Sequence, residues 1–167
     1  MIVVSDSGPL ISLLKAEELN ILHTLYGEVL IPEAVFAELT TNSRYVDEAN
    51  QIQNSTFIHV VSVNDRKSVS LLQRATGLDL GESEAIVYAD GNNADVLLIE
   101  EEAGRKVAQH MQLRVRGSIG ILLYAFDKEI ITRADVEKAL EKMRLSERRI
   151  SEHLYQYAYE HINSGEE

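Results

Sequence analysis

The chain has 167 residues, 45% of them hydrophobic and 26% charged, which suits one domain with a real core. It has no cysteine, which excludes a disulfide framework and a thiolate zinc site. A net charge of −11 argues against broad electrostatic adhesion to nucleic acid.

Ile2-Val3-Val4-Ser5 is an apolar run without polar alternation, the pattern of a strand buried on both faces. Asp6 closes it. Leu10, Ile11, Leu13 and Leu14 start a helix, and Glu17 to Leu25 form a second, stopped by Gly27. Val29-Leu30-Ile31 is a strand, after which Pro32 is expected in a first helical turn, where its missing N–H costs little. That helix runs through Ala34, Val35, Phe36 and Leu39 to Thr40-Thr41-Asn42. Residues 45–54 read as a polar helix, Phe57 to Val63 as a strand, and Arg66 to Arg74 as a helix closed by Gly77. Gly81 opens another helix, ending at Gly91-Asn92-Asn93. Val96 to Ile99 is a continuous apolar strand, Glu101 to Met111 a helix, Leu113-Arg114-Val115 a brief strand and Ile119 to Phe126 an apolar helix. Two amphipathic helices finish the chain, from about Ala134 to Met143 and from about Ser146 to Ile162. Thr132 is placed to cap the first, with Asp135 three residues on.

Strands alternating with helices predict a parallel sheet wrapped on both faces. Residues 1–162 are expected to form one domain, with 163–167 a frayed tail. No apolar run is long enough to span a bilayer. The N-terminus lacks a basic start and a small-residue cleavage site, so the expected location is the cytoplasm. Acids outnumber bases about three to one in the first hundred residues, and the two are nearly balanced afterwards. Arg105, Lys106, Arg114, Arg116, Arg148 and Arg149 all lie in the second part, where a local basic surface could guide a phosphate backbone.

The acids at strand ends carry the chemistry. Asp6 stands at the carboxyl end of the first strand, where open α/β sheets place their sites; its ordinary alternative is a helix cap. Glu38 shares a helical face with Ala34 and Val35, so it needs a partner or a metal. Glu82 and Glu84 follow Gly81, and two residues apart they cannot point the same way; periodicity does not choose between them. Glu100-Glu101-Glu102 follows an apolar strand whose end would neighbour Asp6 if the two strands pair. Acids at a helix start are common, so no single one is diagnostic. Crowded carboxylates raise one another's pKa, and a hard cation removes that cost. Oxygen donors without His or Cys favour Mg²⁺ or Mn²⁺, which can activate water and steady phosphoryl charge.

Other constellations are weaker. Gly81-Glu82-Ser83-Glu84-Ala85 approaches a G-x-S-x-G elbow but lacks the second glycine. No G-x-G-x-x-G or Walker lysine loop occurs. His153 and His161 could share one helix face without a third ligand. Tyr155, Tyr157 and Tyr159 could stack on bases, although terminal-helix packing is the commoner use.

In five ordered segments the chain resembles the PIN-domain family of metal-dependent ribonucleases, and the VapC-like branch most. They are Val4-Ser5-Asp6-Ser7-Gly8-Pro9-Leu10-Ile11; Gly27 to Val35 with Glu38-Leu39; Leu80-Gly81-Glu82-Ser83-Glu84-Ala85-Ile86; Leu97 to Glu101 with Gly104-Arg105; and Gly117-Ser118-Ile119-Gly120. The resemblance implies a three-layer α/β/α PIN-like fold with a central parallel sheet. It also implies a metal-dependent endoribonuclease that hydrolyses RNA phosphodiester bonds with Mg²⁺ or Mn²⁺. By position its acids are Asp6, Glu38, Glu84 in preference to Glu82, and Glu101 or Glu100, with Ser7 able to hold a metal-bound water. Arg105 could contact the substrate backbone. The family usually has Asp in the last segment, where this chain has only Glu. A catalytically silent module that binds RNA or a protein is therefore the alternative. Branch membership would imply a toxin with an antitoxin partner and a homodimer.

Overall fold

A computed structural model describes residues 1–41 and 46–164. In chain order the elements are β1 Val3–Ser5, α1 Ser7–Lys15, α2 Ile21–Tyr26, β2 Val29–Pro32, α3 Glu33–Thr41, α4 Val46–Gln53 and β3 Ile58–Val61. They continue with α5 Arg66–Thr76, α6 Leu80–Gly91, β4 Val96–Leu98, α7 Glu102–His110, β5 Val115–Arg116, α8 Ser118–Asp127, α9 Arg133–Leu145 and α10 Glu152–Asn163.

The strands form one all-parallel sheet in the order β3-β2-β1-β4-β5. Central β1 places Val4 opposite Leu30 on one side and Leu97 on the other. Successive strand side chains enter opposite layers, as the pleat requires. Val3, Val96 and Leu98 join the larger core, with α1 to α4 and α8 to α10. Val4, Leu97 and Ile99 join the smaller core, with α5, α6 and α7. The result is the expected three-layer α/β/α arrangement. Among the described residues, no helix is long and apolar enough to cross a membrane.

Local chemistry sets the element ends. Gly27 and Gly77 have φ of +77° and +75°, so the stops expected there fall on left-handed residues that glycine tolerates. Thr132 and Asp135 form a reciprocal capping box at α9.

Three expectations change. The helix expected from Glu17 begins only at Ile21, because Glu17 takes a φ of 59° and breaks the path after α1. Pro32 ends β2 opposite Val61 instead of opening α3, since its fixed φ also suits a strand end. The last helix starts at Glu152, not Ser146; Glu147 has a φ of 57°, and Ser151 caps the new start by accepting from the N–H of Leu154 at 3.3 Å. Asn42 and Tyr45 lie outside the described residues, as do 165–167 of the expected frayed tail; Asn163 itself ends α10.

The order of strands positions the site. From β1 the chain builds outward through β2 and β3, then returns to place β4 and β5 on the other side. The carboxyl ends of β1 and β4 therefore flank the topological switch point, where connections diverge and leave a crevice. The N–H of Asp6 donates to the carbonyl of Leu98 at 2.9 Å and ties the two ends together.

Candidate metal centre

A cleft of about 1170 Å³ opens at this switch point. It exceeds the roughly 300–1,000 Å³ of small-molecule pockets, so a polymer segment has room. Asp6, Glu38, Asp79, Glu82, Glu100 and Glu101 all line it.

Asp6 is only 4% exposed. It occupies the N-cap position of α1, but its carboxylate caps no N–H by a side-chain bond. Burial pushes its carboxyl up to about 7, the charges of Glu38, Glu82 and Asp79 add to the rise, and a backbone hydrogen bond from Ser7 opposes it.

Glu38 reaches the cleft from the second turn of α3. The helix buries Val35, but Glu38 opens to solvent in the cleft and not into the core expected from its face. Ser7 Oγ donates to its Oε1 at 2.9 Å. Gly81 brings α6 so close that a Cβ there would lie 3.2 Å from Glu38 Oε2. Desolvation raises the Glu38 carboxyl, Asp79 and Glu101 raise it further, and Ser7 and Arg148 restrain it.

Glu82 is buried at the start of α6. Asp79 and Glu82 form a capping box: Glu82 N–H donates to Asp79 Oδ1 at 2.8 Å, and Asp79 N–H donates to Glu82 Oε2 at 3.2 Å. The other oxygen, Oε1, is buried with no hydrogen-bond partner. It lies beside α7, where a Cβ on Gly104 would come within 3.0 Å of it. Burial again leads the upward shift of its carboxyl, with Asp79, Glu101 and Glu38 contributing.

Glu84, the acid the resemblance preferred, is placed elsewhere. Its Oε1 accepts from Arg66 Nη1 at 2.6 Å and its Oε2 accepts the N–H of Ala34 at 3.0 Å. It does not line the cleft. Two residues of helix turn Glu82 and Glu84 through about 200°, so only one can face the site.

The last acids also divide. Glu100 accepts from Ser118 N–H and from Ser118 Oγ, both at 2.9 Å, and so holds the start of α8. Glu101 is at the N-cap position of α7, exposed, and makes no capping bond. Glu102 pairs with Lys106 one turn on. Arg105 is half-buried on the same wall, its Nη1 donating to the Ile99 carbonyl at 3.1 Å.

These residues suit a hard cation in donor chemistry. All the donors are oxygen, one buried carboxylate oxygen is orphaned, and the carboxyls of Asp6, Glu38 and Glu82 are all raised by burial and mutual repulsion. As the side chains stand, no three His, Asp or Glu among the described residues close around one point. Mg²⁺ is commonly held by one or two carboxylates and retains several waters.

Asp79 was not singled out from the sequence. The signal for it is local: an acid followed three residues later by Glu at a helix start is a capping-box pattern. Arg148 stood out as one of six basic residues and Ser118 within the Gly117–Gly120 segment, but nothing local points to their contacts, because their partners are distant in the chain.

A family model described as PIN domain matches residues 2–164. No curated protein matches the chain.

Proposed function

The chain belongs to the PIN-domain family, and on that premise we propose that it is an endoribonuclease dependent on Mg²⁺ or Mn²⁺. The family is one of nuclease-type or RNA-binding modules. The observation that carries the sharper reading is the buried Asp6 carboxyl at the strand switch, flanked by Glu38 and by a Glu82 with one oxygen unpartnered.

In this reading Asp6 is the central ligand. Glu82 takes the role that the resemblance gave to Glu84, because Glu82 faces the cleft and Glu84 is held by Arg66 and Ala34. Glu38 holds the ion directly or through water, and Ser7 orients the Glu38 carboxylate. Glu101 is the free arm of the last segment, whereas Glu100 fixes the edge of the cleft through Ser118. When bound, the ion supplies a water of lowered pKa and neutralises phosphoryl oxygens. The chain's own contribution is a prepositioned acid cluster, buried at Asp6 and Glu82 and open to the cleft at Glu38 and Glu101.

The full branch-level proposal is a cytoplasmic toxin that acts as a homodimer and is blocked by an antitoxin. A stable complex with the product of an adjacent small reading frame would support it. A second reading, a silent module that binds RNA or protein, is favoured by the lack of three converging ligands and by Glu in the last segment.

Titration calorimetry with Mn²⁺ and an RNA cleavage assay separate these readings. Binding and cleavage that Asp6→Asn abolishes are the expected result. No binding at millimolar Mn²⁺ leaves the silent module.

A further inference from the structure

We propose that the α10 wall of the cleft is a nucleotide subsite for single-stranded RNA, in which Arg148 holds a backbone phosphate and Tyr157 stacks the adjoining base. The inference rests on the nucleic-acid reading above.

Arg148 is brought to the cleft by a shaped connection. The chain leaves α9, reverses at the left-handed Glu147, and closes with Ile150 N–H donating to the Arg148 carbonyl at 2.8 Å. Ile150 packs against the larger core and anchors the turn. Arg148 then crosses to the first turns of α1. Its Nε donates to Ser12 Oγ at 3.0 Å and its Nη2 to the Gly8 carbonyl at 3.2 Å.

Both partners are neutral, and among the described residues Arg148 forms no ion pair. Its charge is therefore oriented by neutral acceptors, and it also restrains the rise of the Glu38 carboxyl. The remaining N–H groups of the fork are left for an acceptor in the cleft, and a phosphate matches their planar geometry. Glu147 also lines this wall, and the acid cluster faces it. A phosphate entering the cleft meets Arg148 and the adjacent Arg149 on this wall.

The tyrosines of α10 divide by helical phase. Tyr155 is buried and Tyr159 packs against the core, whereas Tyr157 is 52% exposed and lines the cleft. His153, one turn earlier, lines it on the same helix face. The Tyr157 ring is tilted against His161 at a centroid distance of 6.1 Å, which steadies the ring. An accessible aromatic ring and a guanidinium held by neutral partners line the same cleft, the pairing that single-stranded nucleic acid uses: backbone on the cation, base on the ring.

The test is fluorescence anisotropy with a labelled single-stranded oligoribonucleotide and Mg²⁺, in the full-length Asp6→Asn protein so that the probe is not cut. Tyr157→Ala is expected to weaken binding about tenfold, with Tyr157→Phe retaining it. Arg148→Gln is expected to weaken it similarly, and to lower the slope of log affinity against log salt by about 0.7. Tyr157 is exposed, so that arm does not depend on refolding of the core. Binding indifferent to both substitutions, or no binding by the Asp6→Asn protein, overturns the subsite. The nuclease reading fails separately: RNA binding that depends on Arg148 and Tyr157, without metal-dependent cleavage by the wild type, sinks that reading and leaves the subsite standing.

Discussion

The N–H of Ala34 donates to Glu84 Oε2 at 3.0 Å, which fixes the start of α3 against α6. With Arg66 on its other oxygen, Glu84 is a clamp between three helices. Glu38 lies one turn beyond Ala34, so this clamp sets its position relative to Glu82.

Removing the clamp and removing the proposed ligand Glu82 should therefore look different. Glu84→Ala leaves a part-buried N–H without its acceptor, at a cost of about 1–3 kcal/mol in stability. The half-exposed Arg66 contributes less through its ion pair. Glu82→Gln should leave stability unchanged or raised, since a buried charge is removed, and should abolish Mn²⁺ binding. Urea unfolding and calorimetry read the two effects. Loss of metal affinity in Glu84→Ala, at unchanged stability, would reverse the assignment.

The raised Asp6 carboxyl sets the sign of the pH dependence in the metal-free protein. Its pKa rises from 3.8 to about 7 on folding, so the native state holds the extra proton between those values. This contribution to stability is complete below 3.8 and is lost as pH rises through about 7. The upward shifts of Glu38 and Glu82 act in the same direction. Melting temperature in EDTA should fall over this window, and Asp6→Asn should flatten the fall. A metal-free protein whose stability rises across it contradicts the buried-acid account.

Metal affinity should move oppositely, because a cation displaces the proton from Asp6. Mn²⁺ binding is expected to strengthen as pH rises to about 7 and then level, with proton release below that value. Calorimetry in buffers of different ionisation enthalpy counts the protons. Affinity that does not change with pH would place the ion away from Asp6.

Gly8→Ala tests the closeness of α1 to the residue after β4. A Cβ at Gly8 would lie 2.8 Å from the Cβ of Glu100, an atom fixed to the backbone. Overpacking there should cost about 1–3 kcal/mol and loosen the hold of Glu100 on Ser118. Denaturant unfolding measures the first effect, and amide exchange at Ser118 the second.

The strands and most helix ends were legible because their causes are local. An apolar run such as Val96 to Leu98, a left-handed glycine such as Gly77 and a cap such as Thr132 each carry their signal within a few residues. The misplaced helix starts came from Glu17 and Glu147, which take left-handed backbone conformations that nothing in a glutamate advertises. Asp6 and Glu101 were singled out from their positions at element ends and Glu38 from its helical face, and all three line the cleft. The resemblance preferred Glu84, whereas Glu82 lines the cleft, because the choice between them depends on which face of α6 meets α3 and α5. That face carries no periodic signal, because Glu82, Ser83, Glu84, Ala85 and Ile86 are consecutive and all buried.

The sequence by itself determined a parallel α/β sheet and a set of acids at strand ends, since periodicity and element boundaries are written in neighbouring residues. Only the tertiary structure decided which acids share a crevice. It gave Glu82 an orphaned oxygen, tied Glu84 to Arg66, and carried Arg148 across to Gly8. Those outcomes depend on contacts between residues far apart in the chain, and burial, not spacing, sets their energies.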